Sequence, residues 1–286
     1  MKIAEKSSFF LLLLLLVTLG APVAAQGGAD AEKKAPAAEG DEKGKALLAE
    51  LQEKSIKAVG GKEALEKYSN RKMSSKVKIM DAGLEADLNN FVDSMGTYQE
   101  SMAITGYGNF QQGINGDVAW SLDPINGPRL ITGKEKTQLL RSARLQPNLW
   151  LTRDHQSAVL AGEETVDDIA CTIYDLKTND GAVHKYWISN DNGLVCKVSM
   201  TVESPMGQIP IQVKMSDYKA VDGIQYPHLM RMKQGVQNME VTVVSIEHDA
   251  EVGDEIKKLP EEVKNLVERS KPKEDTEEAK EEESSD

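Results

Sequence analysis

The sequence predicts a mainly β fold of the α+β class: a curved antiparallel sheet, or incomplete β-barrel, with helices at its N-terminus and over its open side. Three observations carry this. Apolar residues recur with period two, most cleanly as Leu194, Cys196, Val198, Met200 and Val202 against Lys197, Ser199, Thr201 and Glu203. Tight-turn sequences such as Asn179-Asp180-Gly181 and Asn190-Asp191-Asn192-Gly193 separate such runs. Helical periodicity is confined to the start, one middle interval and a short stretch near the end. Strict alternation gives each strand one buried and one wet face, as in an antiparallel sheet.

At the N-terminus, Lys2 and Lys6 precede an apolar run from Phe9 to Leu19. A bilayer span needs about 20 apolar residues, so this run has the length of a signal-peptide core. The small residues of Gly20-Ala21-Pro22-Val23-Ala24-Ala25 place cleavage after Ala25. Residues 1–25 are therefore expected to be a signal peptide, and the mature chain periplasmic or extracellular. No cysteine follows the run, which argues against a lipid-modified N-terminus. No later stretch is apolar enough to span a membrane, so no transmembrane span is expected in the mature chain.

Residues 26–43 are rich in Ala, Gly, Lys and Glu and read as a disordered linker. A single domain follows over 44–258. Lys45 to Val59 reads as an amphipathic helix with Leu47, Leu48, Leu51, Ile56 and Val59 on one side, ended by Gly60-Gly61. A second short helix is expected from about Lys62 to Tyr68. The period then changes to two: Val77 and Ile79, then Val118, Trp120 and Leu122, the run from Leu194, and Ile209, Ile211, Val213 and Met215. Ser204-Pro205-Met206-Gly207 and Val221-Asp222-Gly223 close further hairpins. In the middle, Thr132-Gly133-Lys134-Glu135 has the form of a capping box, opening a helix to about Arg144. Pro147 starts a further turn through Trp150. The count comes to roughly nine to eleven strands. Residues 259–286 comprise a short helix, Pro260 to Arg269, and an acidic tail. From Ser270 that tail has eight acids against three lysines, too few apolar groups to offset chain entropy.

The formal charge of −12 becomes −13 once 1–25 is removed with its two lysines and one glutamate. That balance disfavours nucleic acid, whose binding rests on cations meeting phosphates, and anionic lipid surfaces. Cys171 and Cys196 fall on the first and third strands of a meander. They would lie about two strand spacings apart, near 10 Å, where a bridge needs Cα atoms within about 7 Å. Two buried thiols are expected.

The chain presents no catalytic machinery. His155, His184, His228 and His248 are scattered, with no compact metal spacing. GxSxG, CxxC and glycine-rich phosphate loops are missing from the sequence. His228 beside Tyr226 and Asp222 is the nearest approach to a polar cluster. Neither an enzyme nor a cofactor nor a metal is expected.

A long sheet with one apolar face must curl, with helices covering its open side. Space left inside would be apolar. Its expected walls are Val77, Ile79, Trp120, Leu122, Val198, Met200, Val202, Ile211, Val213, Met215, Met230 and Met232. Trp120 reads either as cavity wall or as plain core, and the methionines either as an adaptable binding surface or as fillers of an irregular core. Arg129 reads as a polar group near the hinge of the middle helix or as an exposed side chain.

Two stretches carry a resemblance: Gly116-Asp117-Val118-Ala119-Trp120 running on to Gly127-Pro128-Arg129-Leu130-Ile131-Thr132-Gly133, and Asp217-Tyr218-Lys219-Ala220-Val221-Asp222-Gly223 followed by Tyr226-Pro227-His228. With Ala58-Val59-Gly60-Gly61-Lys62-Glu63-Ala64-Leu65, they resemble exported bacterial proteins of the outer-membrane lipoprotein-sorting, LolA/LolB-like superfamily. The resemblance spans about residues 45–250. It implies a LolA-like half-barrel with a helical lid and an apolar cavity for lipid or lipoprotein acyl chains. It also implies an interior arginine holding the lid closed, for which the motifs single out no position here. The function it points to is a non-catalytic carrier of a lipid, lipoprotein or other amphiphile. The alternative is a structural or interaction module with a protein partner in the cell envelope.

Overall fold

The computed structural model describes residues 37–205 and 207–270. The expected signal peptide, the linker as far as residue 36, Met206 and the acidic tail beyond Ser270 lie outside the described residues.

Thirteen antiparallel strands form one sheet. The first arm is a meander of β1 (Asn70–Ile79), β2 (Leu84–Asp93), β3 (Tyr98–Ile104), β4 (Gly108–Asn115), β5 (Val118–Asp123) and β6 (Gly127–Leu130). The second is β7 (His155–Val166), β8 (Ile169–Thr178), β9 (Val183–Ser189), β10 (Val195–Ser204), β11 (Gly207–Val221), β12 (Ile224–Gln234) and β13 (Gln237–His248). The arms join where the first strand pairs with the last, from Arg71 opposite His248 to Ile79 opposite Met239. A register shift at Ser74/Ser75 interrupts this seam. The sheet order is β6-β5-β4-β3-β2-β1-β13-β12-β11-β10-β9-β8-β7, so β6 and β7 are free edges and the barrel is incomplete. The strands exceed the expected nine to eleven.

The helices are α1 (Ala37–Ala58), α2 (Lys62–Glu66), α3 (Gly133–Ser142), α4 (Leu151–Asp154) and α5 (Glu261–Ser270), with a 3-10 turn at Pro147–Trp150. Helix α1 begins within the segment read as linker, before the expected Lys45. It ends where expected, at Gly60 and Gly61, whose φ values of 129° and 90° favour glycine. The capping box does not form. Thr132 makes no side-chain cap bond to α3. Glu135 instead accepts two bonds from Arg129, both at 2.7 Å. A bidentate charged pair is stronger than a neutral bond to a backbone amide. Arg129 thus braces the start of the middle helix.

One face of the sheet, here the inner face, carries the main core. Leu48 and Leu51 of α1 join Val77, Val198, Val213 and Val241 in it. On the first arm, Leu139 and Ala143 join Val92, Tyr98, Ile114 and Ala119. Cys171 and Cys196 are free and buried, as expected, on β8 and β10 with β9 between them.

Gly113 sits opposite Trp120 on neighbouring strands. A Cβ there would lie 2.6 Å from the indole Cζ2 and 2.8 Å from the Tyr98 carbonyl oxygen. Overpacking of this kind costs about 1–3 kcal/mol. Gly113→Ala is expected to lower the urea midpoint accordingly with the far-ultraviolet spectrum intact; an unchanged midpoint would mean that Trp120 yields freely.

Candidate functional site

Helix α1 and the segment 146–151 lie over the inner face of the second arm and enclose a cavity of about 80 Å³. Its roof is Leu51 and Ser55 of α1, Val59 just beyond that helix, and Gln146, Pro147, Asn148 and Leu151. Its floor includes Arg71, Leu176, Tyr186, Val198, Met215, Tyr218 and Tyr226. The volume exceeds what one water needs and falls short of the about 300–1,000 Å³ of small-molecule pockets. A shallower groove of about 720 Å³ runs along α1 and the turn 189–193, sharing Leu51, Ser55, Ile188 and Gly193 with the cavity wall. On the other flank of α1 lies a groove of about 430 Å³ bordered by Lys45, Leu48, Thr152 and His155.

The roof is held together by few bonds. Asn148 Nδ2 donates to Ser55 Oγ at 2.5 Å. The Thr152 amide and hydroxyl donate to Gln52 Oε1 at 2.9 and 3.0 Å. From the floor, Arg71 Nη1 donates to the Leu145 carbonyl at 3.3 Å.

Arg71 is 1% exposed. Among the described residues its Nε and Nη2 have no hydrogen-bond partner and it forms no ion pair. Its guanidinium carbon lies 5.4 Å from the centroid of the Tyr226 ring. That ring is fixed in turn: Tyr226 hydroxyl to His248 Nε2 is 2.9 Å, and His248 Nδ1 to Asp222 Oδ2 is 2.9 Å. Tyr68 stacks on His248 with centroids 4.3 Å apart. The polar cluster expected around Asp222 and Tyr226 therefore exists, but His248 occupies its centre. His228 only meets the Tyr226 carbonyl oxygen through Nδ1, at 3.0 Å. Sequence reasoning missed Arg71, yet a signal was there. Carried back two residues at a time, the alternation of Ile79 and Val77 passes Ser75 and Met73 and reaches Arg71 on the buried face.

Of the expected cavity walls, Val198 and Met215 line the cavity. Val77, Ile79, Met200, Val202, Ile211, Val213, Met230 and Met232 share the inner face as packed core. Trp120 and Leu122 depart from the expectation. Pairing puts Ala119 beside Ile114 on the inner face, so Trp120 and Leu122 point the other way. Trp120 is fully buried there, its Nε1 donating to Asn115 Oδ1 at 2.8 Å, and α5 packs against β5 and β6 on the same part of the sheet.

The inner face of the first arm carries buried polar groups among its apolar ones. Glu100, 6% exposed, accepts from Tyr98 and Gln112 at 2.9 and 2.8 Å. Burial pushes its carboxyl up to about 7, against the pull of these bonds. On the second arm, His155 Nε2 and His184 Nδ1 are 2.8 Å apart. Burial lowers His155 to about 4 and holds His184 well below the ordinary imidazole value. Neither group can meet a ligand in the cavity, since none of the three lines it.

The fold is shared with solved bacterial structures. A DUF1329 family protein from Desulfovibrio piger superposes with a TM-score of 0.51 at 13% identity, over 74% of this chain and 97% of that one. A putative outer membrane lipoprotein-sorting protein domain from Vibrio parahaemolyticus does so with a TM-score of 0.50 at 12% identity, over 80% and 100%. A LolA superfamily protein from Nitrosomonas europaea is matched more loosely, with a TM-score of 0.44 at 14% identity over 76% and 98%. No protein-family model matches the sequence, and no curated protein matches it. At the level of fold, the resemblance to the lipoprotein-sorting group holds. Among the described residues no helix is long and apolar enough to cross a membrane.

Glu100 binds its proton more tightly in the folded chain, so its stabilising contribution is complete below about pH 4.5 and is lost as pH rises through about 7. His155 binds its proton less tightly, so its contribution is complete above about pH 6.5 and is lost as pH falls toward 4. The slopes oppose one another. Glu100→Gln removes one of them, so its stability relative to the parent is expected to rise by on the order of 3 kcal/mol between pH 4.5 and 7. Urea unfolding across that range checks this; a difference independent of pH would mean that Glu100 ionises as freely as in the unfolded chain.

Proposed function

We propose that this protein is an exported, non-catalytic carrier that holds the acyl chain of a lipid, lipoprotein or other amphiphile between its curved sheet and a helical cover. The observation that supports this most is the cavity under α1, apolar on nearly every side, whose roof is attached by a handful of polar contacts. In the closed form it is too small for a whole acyl chain. Outward movement of α1 would merge it with the adjoining groove, because Leu51 and Ser55 line both. Arg71, bonded to Leu145 across the cavity, fits the part that the resemblance assigns to an interior arginine: it ties floor to roof. The Asp222–His248–Tyr226 chain then serves to hold the aromatic ring beside that arginine, a positioning role and not a catalytic one.

The amino-terminal pattern supports export, with cleavage near Ala25 and a periplasmic or extracellular mature chain. A second reading, a structural or interaction module of the envelope, draws support from the dense packing of Val77, Ile79, Met230 and Met232 elsewhere on the inner face.

The bond between Ser55 and Asn148 offers a direct test. In the double variant Ser55→Cys/Asn148→Cys, oxidation is expected to staple α1 to the connector and abolish uptake of an acyl fluorophore, with reductant restoring it. Native mass spectrometry of the chain purified gently from its own envelope fraction is expected to show a bound acyl species. A bare polypeptide mass, with uptake indifferent to the staple, would favour the interaction module.

A further inference from the structure

The arrangement around Arg71 says something about the ligand's head that the cavity's apolar walls do not. A guanidinium carries its charge throughout the physiological range, and burying it without a counter-charge is costly. Here Nη1 is spent on the Leu145 carbonyl, while Nε and Nη2 are shielded from solvent with no partner. These two nitrogens are not a random pair. They form one edge of the guanidinium plane, with parallel N–H bonds spaced to meet two oxygens of one carboxylate or phosphate. Gln146, which lines the same cavity, also has a buried and unpartnered donor in Nε2. The acid of the neighbouring cluster, Asp222, is engaged with His248. Beyond this polar end the walls are apolar, with Leu51, Leu176, Val198 and Met215 among them.

We infer that the cavity takes an anionic amphiphile whose two-oxygen head docks side-on against Nε and Nη2 of Arg71, with its acyl chain running between α1 and the sheet. This rests on the carrier reading and narrows it. Gln146 adds a third donor to the head. Because both free donors are closed off from solvent, the head reaches them only when the segment carrying Leu145 and Gln146 lifts. Docking thereby couples head recognition to opening of the roof. Carboxylate and phosphate heads share this chemistry and differ in charge and shape, so both belong in the test.

The experiment is displacement of an uncharged apolar fluorophore from the purified full chain by decanoate, decyl phosphate and decanol. The three share a chain and differ in the head. Charge-assisted bonds contribute enough that the two anions are expected to displace the fluorophore at roughly 10- to 100-fold lower concentration than decanol. The better of the two identifies the head. Arg71→Met is expected to erase the preference, so that the two anions compete no better than decanol on the same variant. Arg71→Lys, which keeps the charge and lacks the paired edge, is expected to recover only part of it. If the three ligands compete equally on the parent chain, the anion inference is overturned and the carrier reading stands. If the preference persists in Arg71→Met, the inference is likewise overturned. If neither the fluorophore nor any ligand binds, both readings fall. The comparison on the parent chain needs no variant, so poor folding of either substitution would not leave the inference untested.

Discussion

An open sheet with one apolar face has to be covered, and the rest of this structure follows from how that is done. The chain leaves one free edge at β6 and returns at the other, β7, so residues 131–154 must bridge the opening. That bridge has two parts with different attachments. Helix α3 is fixed to the sheet: Arg141, nearly buried, pairs with Asp180 at 3.0 Å, and the Glu203 amide donates to Gln138 Oε1 at 2.9 Å. The following segment is tied both to α1, through Ser55 and Gln52, and to the sheet side, through Arg71 and Asn179. Trp150 there lies between Arg144 and Arg153, at 4.0 and 4.7 Å from its centroid. Part of the cover is therefore anchored to the sheet alone, and part to both the sheet and α1.

The inner face is divided in the same sense. On the first arm, beside the apolar cluster under α3, it carries Asn90, Glu100, Gln112 and Ser121, buried and polar. Under α1 and along the seam it carries Met73, Met200, Met215, Met230, Met232 and Met239 among valines and isoleucines. Methionine is unbranched and polarizable, so it fits changing neighbours at little cost. Helix α1 covers that side, with Leu48 and Leu51 in the same core. Arg71 stands at its margin as the one strongly polar element of the cavity floor.

Much of the fold could be read in the sequence because the second arm alternates from Val198 to Val202 and again from Ile209 to Met215, although a register shift at Val195/Lys197 turns Cys196 to the other face, beside Cys171 and Trp187. The first arm was harder. On β3 and β4 the inward positions include Glu100 and Gln112, which blur the alternation and led to too few strands. Trp120 misled for another reason. Its strand is buried on both faces, and period-two patterning cannot tell the faces apart where both are covered. The capping-box residues were present, but Arg129, distant from Glu135 by a turn of chain, claimed the carboxylate. As for the site, parity identified which side chains point inward and could not say which of them border a void. That depends on tyrosines from three separate strands and on the connector, whose position no local pattern encodes.

The seam between β1 and β13 sets an order of events. Hairpins within each arm can form as soon as their two strands exist, since their contacts are local. Pairing Arg71 with His248 requires closing a loop that spans most of the chain. Such non-local closure is slow and comes late in folding. Arg71 and Tyr226 stand side by side only across that seam, so Arg71 joins the cavity floor last. A chain cut short anywhere before β13 would keep many of its hairpins but leave Arg71 apart from Tyr186, Val198, Met215 and Tyr226. The cavity is in this architecture complete only once β13 has been made.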